Sequence, residues 1–234
     1  MGRFIFLMPI LLSHLVSLQA WAQTPDTTFY DAAVNSTKSL YTMSQGEQAR
    51  LFTGIQFVEY RYPFQNDHPF FKDSNPTTGT IHYDGVTYTR VPMWYDLIRD
   101  EVVVLNQVSQ TKIVLQSKKV KEFWLAGHHF VRIDSVPGMP IGYYDRLYDG
   151  STTLVAKRFK RPTEVIAEMR VKIDISSLSS RYYLEKDGRF RTLEKPVSVR
   201  KELAEKRREI DDYIKTNRLN FRRDAEESMI KVLA

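Results

Sequence analysis

Histidines are the first residues to consider for chemistry, because imidazole binds metal ions and transfers protons near neutral pH. Beyond residue 22 the chain has four of them: His68, His82, His128 and His129. His128 and His129 are adjacent in a strand-like segment, where neighbouring side chains point to opposite faces. The chain also has no cysteine. The spacing therefore predicts no metal site, and no cofactor is expected.

Two aspartates lie among aromatic residues, as the acid of a glycoside hydrolase would: Asp96 and Asp145. The carboxylates of such enzymes meet in space and need no particular sequence spacing, so an envelope hydrolase that uses Asp carboxylates is the alternative. The chain has no G-x-S-x-G turn and no H-E-x-x-H motif. Aspartates at strand ends more often bond to nearby backbone, so we assign no catalytic residue.

The segment Tyr60–Phe71 (YRYPFQNDHPFF) has the most unusual local composition. A loop rich in aromatic residues can bind a sugar ring or anchor a partner protein. It can also fill the interior of a β domain, which the pattern favours. The candidate binding residues in this loop and in the neighbouring segments are Tyr62, His68, Phe70, Phe71, Tyr95, Asp96, His128 and Arg132.

Positive charge is concentrated in the second half of the chain. Residues 23–155 carry 12 Lys and Arg against 14 Asp and Glu, whereas residues 156–234 carry 21 against 14. The densest cluster predicts a basic patch at Lys157, Arg158, Lys160 and Arg161. Such a patch either binds an anionic surface or is an ordinary solvated face. Nucleic acid is not an expected partner, because the N-terminus predicts export.

Export is predicted by the first 22 residues, which have the three parts of a signal peptide. A short positive start precedes an apolar run over residues 4–18, and Ala20-Trp21-Ala22 then presents small residues at the cleavage positions. Cleavage is expected between Ala22 and Gln23. The apolar run is shorter than the roughly 20 residues of a membrane span. We therefore expect a mature chain without a transmembrane segment, located in the periplasm or at the outer-membrane periphery.

Alternating hydrophobicity dominates residues 51–195 and predicts about ten short strands with short connections. Val102–Leu105 is apolar on both faces, which is typical of a strand covered on both sides. Three Asp-Gly pairs predict tight turns with positive φ: Asp84-Gly85, Asp149-Gly150 and Asp187-Gly188.

The predicted fold class is mainly β (α+β): an antiparallel β-meander that forms a barrel or a sandwich. An N-terminal helix over residues 27–41 lies in a helical segment, 23–50, and two helices follow the β domain in residues 196–234. The first of these begins at Ser198 and extends to about residue 217, and the second begins at Asp224. We expect them to pack on the same domain.

Several stretches together resemble an uncharacterised family of exported proteins from Bacteroidota-type bacteria. The motifs that carry the resemblance are L-F-T-G at 51–54, H-P-F-F at 68–71, G-T-I-H-Y-D-G-V at 79–86, V-P-M-W-Y-D at 91–96, G-H-H-F-V-R at 127–132, G-Y-Y-D-R-L-Y-D-G at 142–150 and R-L-N-F-R-R-D-A-E-E at 218–227. The resemblance covers nearly all of the chain after residue 22. It implies a Gram-negative envelope location and a single domain, and it assigns no substrate.

Taken together, these features predict a non-enzymatic binding module of the cell envelope. Its expected partner is another envelope protein or an anionic glycan or lipid surface.

Overall fold

The computed structural model describes residues 33–37 and 50–234. The strands are β1 Ile55–Gln56, β2 Thr77–Tyr83, β3 Val86–Asp96, β4 Glu101–Asn106, β5 Thr111–Val114, β6 Val120–Leu125, β7 His128–Ile133, β8 Gly142–Asp149, β9 Thr153–Phe159, β10 Pro162–Ala167, β11 Arg170–Ile175, β12 Ser179–Lys186 and β13 Arg189–Leu193. Eleven of them form one antiparallel sheet in the order β1-β5-β4-β3-β2-β6-β7-β8-β9-β12-β13. This mainly β, antiparallel fold with C-terminal helices confirms the predicted fold class. Because the sheet is open, with β1 and β13 at its edges, the sandwich form fits.

The tight turns follow from local sequence at two of the three predicted positions. Asp84 and Gly85 have φ of 51° and 78°, and Asp187 and Gly188 have φ of 53° and 71°. Both pairs therefore have the left-handed conformation that two-residue hairpins require. The Asp149-Gly150 pair also predicts a positive φ at Gly150, and this prediction is wrong. Strands β8 and β9 are joined by three residues, and Gly150 does not have a positive φ.

Strand β4 is covered on both faces, as its composition predicts. Val102, Val103 and Val104 are completely buried. Val102 and Val104 belong to the largest hydrophobic cluster, whereas Val103 packs on the opposite face of the sheet in a second cluster with Phe57 and other residues. The sheet therefore has a core on each side at this point, which holds its central strands rigid.

Strand β3 contains a local irregularity at Arg90 and continues unbroken through it. Arg90 has a φ of 56°, and the pairing of β2 with β3 shifts between Gly79 and Ile81. This is a β-bulge, which interrupts the alternation without ending the strand.

The hairpin β10–β11 forms a separate two-stranded sheet. Its base is held by the aromatic segment, because Phe64 bridges Ile173 and the Asn66 side chain bonds to the backbone of Ile175. Its far end is exposed. Ile166 is 83% exposed and Met169, in the turn, is 99% exposed.

The C-terminal region contains helices α2 Val199–Glu202, α3 Arg207–Thr216 and α4 Ala225–Leu233. The single helix predicted from Ser198 is interrupted at Leu203, where φ and ψ are −109° and 38°. Helices α2 and α4 contact the sheet through one hydrophobic cluster. Its buried members are Leu154, Leu184, Leu193, Val199, Met229 and Leu233.

Residues 33–37 form a short helix, α1, within the N-terminal helix predicted over residues 27–41. The rest of that predicted helix, the predicted signal peptide over residues 1–22 and its predicted cleavage site between Ala22 and Gln23 lie outside the described residues. Within the described ranges, none of the helices has the length and apolar character needed to cross a membrane.

Candidate functional site

The aromatic segment contributes mainly to the interior. Phe70 and Phe71 are buried, and Phe71 packs edge-on against His128 with ring centroids 5.0 Å apart. Tyr62 is half-buried beside Arg61, whose guanidinium lies 5.2 Å from its ring centroid. The structure therefore brings Phe71 and His128 together, but it presents neither phenylalanine to solvent as a flat platform.

Asp96 is fully buried at the end of β3. Its Oδ1 accepts hydrogen bonds from the backbone N–H groups of Ile98 and Arg99, at 2.9 and 3.0 Å, and its Oδ2 accepts one from the Tyr60 hydroxyl at 2.7 Å. Burial, and then the charge and hydrogen bond of Asp96, raise the pKa of Tyr60 far above its ordinary value. This is the local backbone bonding expected of an aspartate at a strand end.

Asp145 belongs to a chain of hydrogen-bonded polar side chains, which we call the Arg158 network: His128, Asp145, Arg158, Tyr182 and Glu226. Arg158 donates to Asp145 Oδ2 from Nε at 3.0 Å and from Nη2 at 2.5 Å, and it also donates to both oxygens of Glu226. His128 Nδ1 lies 2.8 Å from the same Asp145 oxygen, and the Tyr182 hydroxyl donates to Glu226.

The Arg158 network joins four strands to α4, because its members lie on β7, β8, β9, β12 and that helix. Burial would raise the pKa of Glu226, but the hydrogen bonds and charge of Arg158 outweigh it and hold the pKa below its ordinary 4.5. A guanidinium shared by two carboxylates is a strong, directional contact. The arrangement therefore positions α4 on the sheet.

A second ion pair, between Lys157 and Asp100, lies at the hydroxyl group of Tyr95. This hydroxyl donates to Asp100 Oδ1 at 2.5 Å, and Lys157 Nζ donates to Asp100 Oδ2 at 2.5 Å. Burial raises the pKa of Tyr95 well above its ordinary value, and Asp100 adds to the effect. Burial also lowers the pKa of Lys157, although Asp100 opposes this. Gly142 has a φ of 145° and lies so close to this pair that a side chain would collide with it.

Lys160 is also buried, and its Nζ donates to Asp67 Oδ2 at 2.6 Å and to the His68 carbonyl at 2.7 Å. Burial and the nearby charge of Lys160 lower the pKa of His68. Arg132 pairs with Asp134 at 2.9 Å and lies over the Tyr143 ring. Both His68 and Arg132 therefore lie beside charged partners within the domain.

The predicted basic patch does not form one exposed surface. Lys157, Arg158 and Lys160 each have a carboxylate partner, and their side chains are between 5% and 13% exposed. Of the four residues, only Arg161 is exposed, stacked on the Phe159 ring at 5.0 Å. The alternation of a strand explains part of the error, since the neighbours Lys157 and Arg158 point to opposite faces and reach different carboxylates.

An exposed positive site lies instead between the last strand and the helices. This cavity, which we call the C-terminal cleft, has a volume of about 890 Å³. Its lining residues are Lys195, Pro196, Val197, Ile214, Lys215, Arg218, Leu219, Asn220, Phe221 and Arg222. Four are cations, five are apolar and none is acidic.

The four cations of the C-terminal cleft are exposed. Within residues 33–37 and 50–234, none of them forms an ion pair with a carboxylate. A smaller cavity of about 470 Å³ shares Lys195 and Val197 with the cleft, but its lining includes Glu194, and its Arg200 and Arg207 pair with Asp211. The sequence signal for this site is R-L-N-F-R at 218–222, where two arginines flank two apolar residues and an asparagine.

Metal binding gains no support from the described part of the chain, where histidines and carboxylates do not gather in groups of three or more that could hold an ion. No family model, curated protein or solved structure shows a significant match to this chain. The candidate site therefore has to be interpreted from its own chemistry.

Proposed function

We propose that this protein is an exported, non-enzymatic module of the cell envelope that binds anionic lipid through the C-terminal cleft. The observation that carries the proposal is a cleft lined by four cations that form no ion pair within the described residues, together with five apolar residues. The signal-peptide pattern of residues 1–22 and the resemblance to exported Bacteroidota-type proteins favour the envelope as the place where this occurs.

The composition of the cleft favours an amphiphile over a simple anion. Lysine and arginine attract phosphate groups, and arginine adds directed hydrogen bonds. Ile214, Leu219 and Phe221 are half-buried, so an apolar group that covers them would lose contact with water favourably. A ligand with a phosphate and an acyl chain satisfies both parts. The volume also lies within the range of small-molecule sites.

The charges of the four cations give the expected electrostatic contribution to membrane binding. A basic residue near an anionic membrane contributes about 1 kcal/mol, so four cations supply about 4 kcal/mol, or about a thousandfold in affinity. This attraction must weaken with salt, because the Debye length falls from about 10 Å at 0.1 M to about 3 Å at 1 M.

Co-sedimentation with vesicles tests the proposal. Purified protein is mixed with phosphatidylglycerol vesicles or phosphatidylcholine vesicles at low and high salt, with soluble glycerol phosphate as a competitor. We expect binding to the anionic vesicles only, lost at high salt. Weak competition by glycerol phosphate would indicate that the acyl chains contribute, whereas strong competition would indicate a site for the phosphate alone.

The informative variant replaces the four cations of the cleft with serine: Lys195, Lys215, Arg218 and Arg222. A matched control replaces four exposed cations elsewhere: Lys118, Lys121, Arg181 and Arg189. Both variants have the same net charge. Loss of binding in the first alone supports the cleft, and equal loss in both would reduce the effect to overall charge and refute the site.

The alternative of a hydrolase that uses Asp carboxylates gains less support. Asp96 and Asp145 are 0% and 1% exposed, and their oxygens already accept hydrogen bonds from Tyr60 and from Arg158. A substrate would have to displace these hydrogen-bond partners before either carboxylate could contact its glycosidic bond.

A further inference from the structure

A second surface with the chemistry of a binding site lies on the solvent face of the sheet, across β3, β2, β6 and β7. The register places Trp124 of β6 between Thr80 of β2 and His129 of β7. Thr89 and Arg90 of β3 lie beyond Thr80, at the bulge. These positions form a row perpendicular to the strands, far in sequence from the C-terminal cleft.

The centre of this row is an aromatic plane held in a fixed orientation. The Trp124 indole and the His129 imidazole are stacked, with centroids 4.3 Å apart and planes 9° apart. His129 Nε2 lies 2.9 Å from Glu122 Oε2, which fixes the imidazole in turn. Trp124 is nevertheless 39% exposed. An exposed indole that is already ordered loses little conformational entropy when a ligand covers it.

A groove of about 370 Å³ runs beside the indole. Its polar lining comes from Thr78, Thr80, Thr89 and Arg90. In the described part of the chain, the three hydroxyls make no side-chain hydrogen bond and Arg90 makes no ion pair. Donors and acceptors are therefore available along one edge of the aromatic plane.

This combination matches one class of ligand. A pyranose ring has a face of C–H groups, which suits the electron-rich face of an indole, and a rim of hydroxyls that both donate and accept hydrogen bonds. Threonine hydroxyls do the same, and the Arg90 guanidinium donates. The volume is at the lower end of the range for small-molecule sites, which suits a short stretch of saccharide.

We propose that the groove beside Trp124 is a saccharide-binding site for neutral, pyranose-containing glycans, separate from the C-terminal cleft. Trp124 stacks on the ring, and the threonine hydroxyls and Arg90 bind its edge. Glu122 is a positioning residue, which acts through His129.

Affinity electrophoresis tests this site with defined probes: native gels that contain soluble starch, dextran, mixed-linkage β-glucan or xyloglucan. We expect at least one polysaccharide to retard the wild-type protein. Trp124→Ala should weaken that retardation by about tenfold, the scale of one aromatic stacking contact, and Trp124→Phe should retain part of it.

The matched control is Tyr213→Ala, which removes an aromatic side chain of similar exposure, 44%, outside the groove. It should bind like wild type. Lack of retardation of the folded wild-type protein by all four polysaccharides would overturn the proposal, and so would unchanged binding by Trp124→Ala. Neither outcome depends on vesicle binding, so this site and the C-terminal cleft fail or succeed separately.

Discussion

Removing Arg158 is the sharpest test of how the sheet and α4 are held together. Arg158→Met keeps most of the volume of the side chain and removes the charge. Asp145, 1% exposed, would keep only the 2.8 Å contact with His128, and Glu226, 31% exposed, would keep only Tyr182. A buried carboxylate without its cation is strongly unfavourable, so we expect the free energy of unfolding to fall by about 3–5 kcal/mol.

Urea-induced unfolding, followed by tryptophan fluorescence, measures this loss. The control is Arg191→Met, because Arg191 also bridges a glutamate, Glu202, but its side chain is 53% exposed. Loss of that exposed pair should lower the free energy of unfolding by less than about 1 kcal/mol. Adding Asp145→Asn to Arg158→Met should recover part of the stability, since it removes the unpaired charge. A loss below about 1 kcal/mol for Arg158→Met, or equal losses for both methionine variants, would refute this account.

Three further predictions concern stability. The pKa of Glu226 is lowered in the folded state, so the stability that this carboxylate contributes is complete above pH 4.5 and is lost as the pH falls through the lower folded pKa. The free energy of unfolding of the wild-type protein, measured as a function of pH, should show this loss, and Glu226→Gln should reduce it. Gly85→Val should cost about 1–2 kcal/mol through backbone strain alone, because φ is 78° and nothing lies within 4 Å of an added Cβ; an unchanged melting temperature would contradict it. Asp67→Asn should destabilise the protein more than Lys160→Met in the same urea assay. The first variant leaves Lys160, 7% exposed, as a buried charge without its partner, whereas the second leaves Asp67, which is 34% exposed and in contact with water. The reverse order would count against this prediction.

The elements that the sequence predicts well are those whose cause is local. Asp84-Gly85 specifies its turn within two residues, and the apolar Val102–Leu105 specifies a strand covered on both faces. Gly150 shows the limit, because the same Asp-Gly pair lies in a longer connection, where Gly150 does not have a positive φ. The local sequence indicates that a turn occurs, whereas the pairing of the two flanking strands determines how many residues it contains.

The candidate sites depend on contacts that no spacing reveals. Arg158 and Glu226 are 68 residues apart, so the sequence does not pair them and instead predicts Arg158 to be part of a surface patch. Trp124 and His129 meet only because β6 and β7 pair in one register. A shift of a single residue would place the two rings on opposite faces.

The distribution of charge explains why the basic half of the chain is a poor guide by itself. Its excess of cations includes one largely buried group, on β9 and just after it, that pairs with carboxylates from earlier in the chain. Another group, around the C-terminal cleft, has no carboxylate partner in the described residues and faces solvent. The effect of salt distinguishes these two groups of cations, because screening weakens the interactions of exposed charges and has little effect on buried pairs. Raising the salt concentration should therefore abolish vesicle binding while leaving the unfolding transition nearly unchanged.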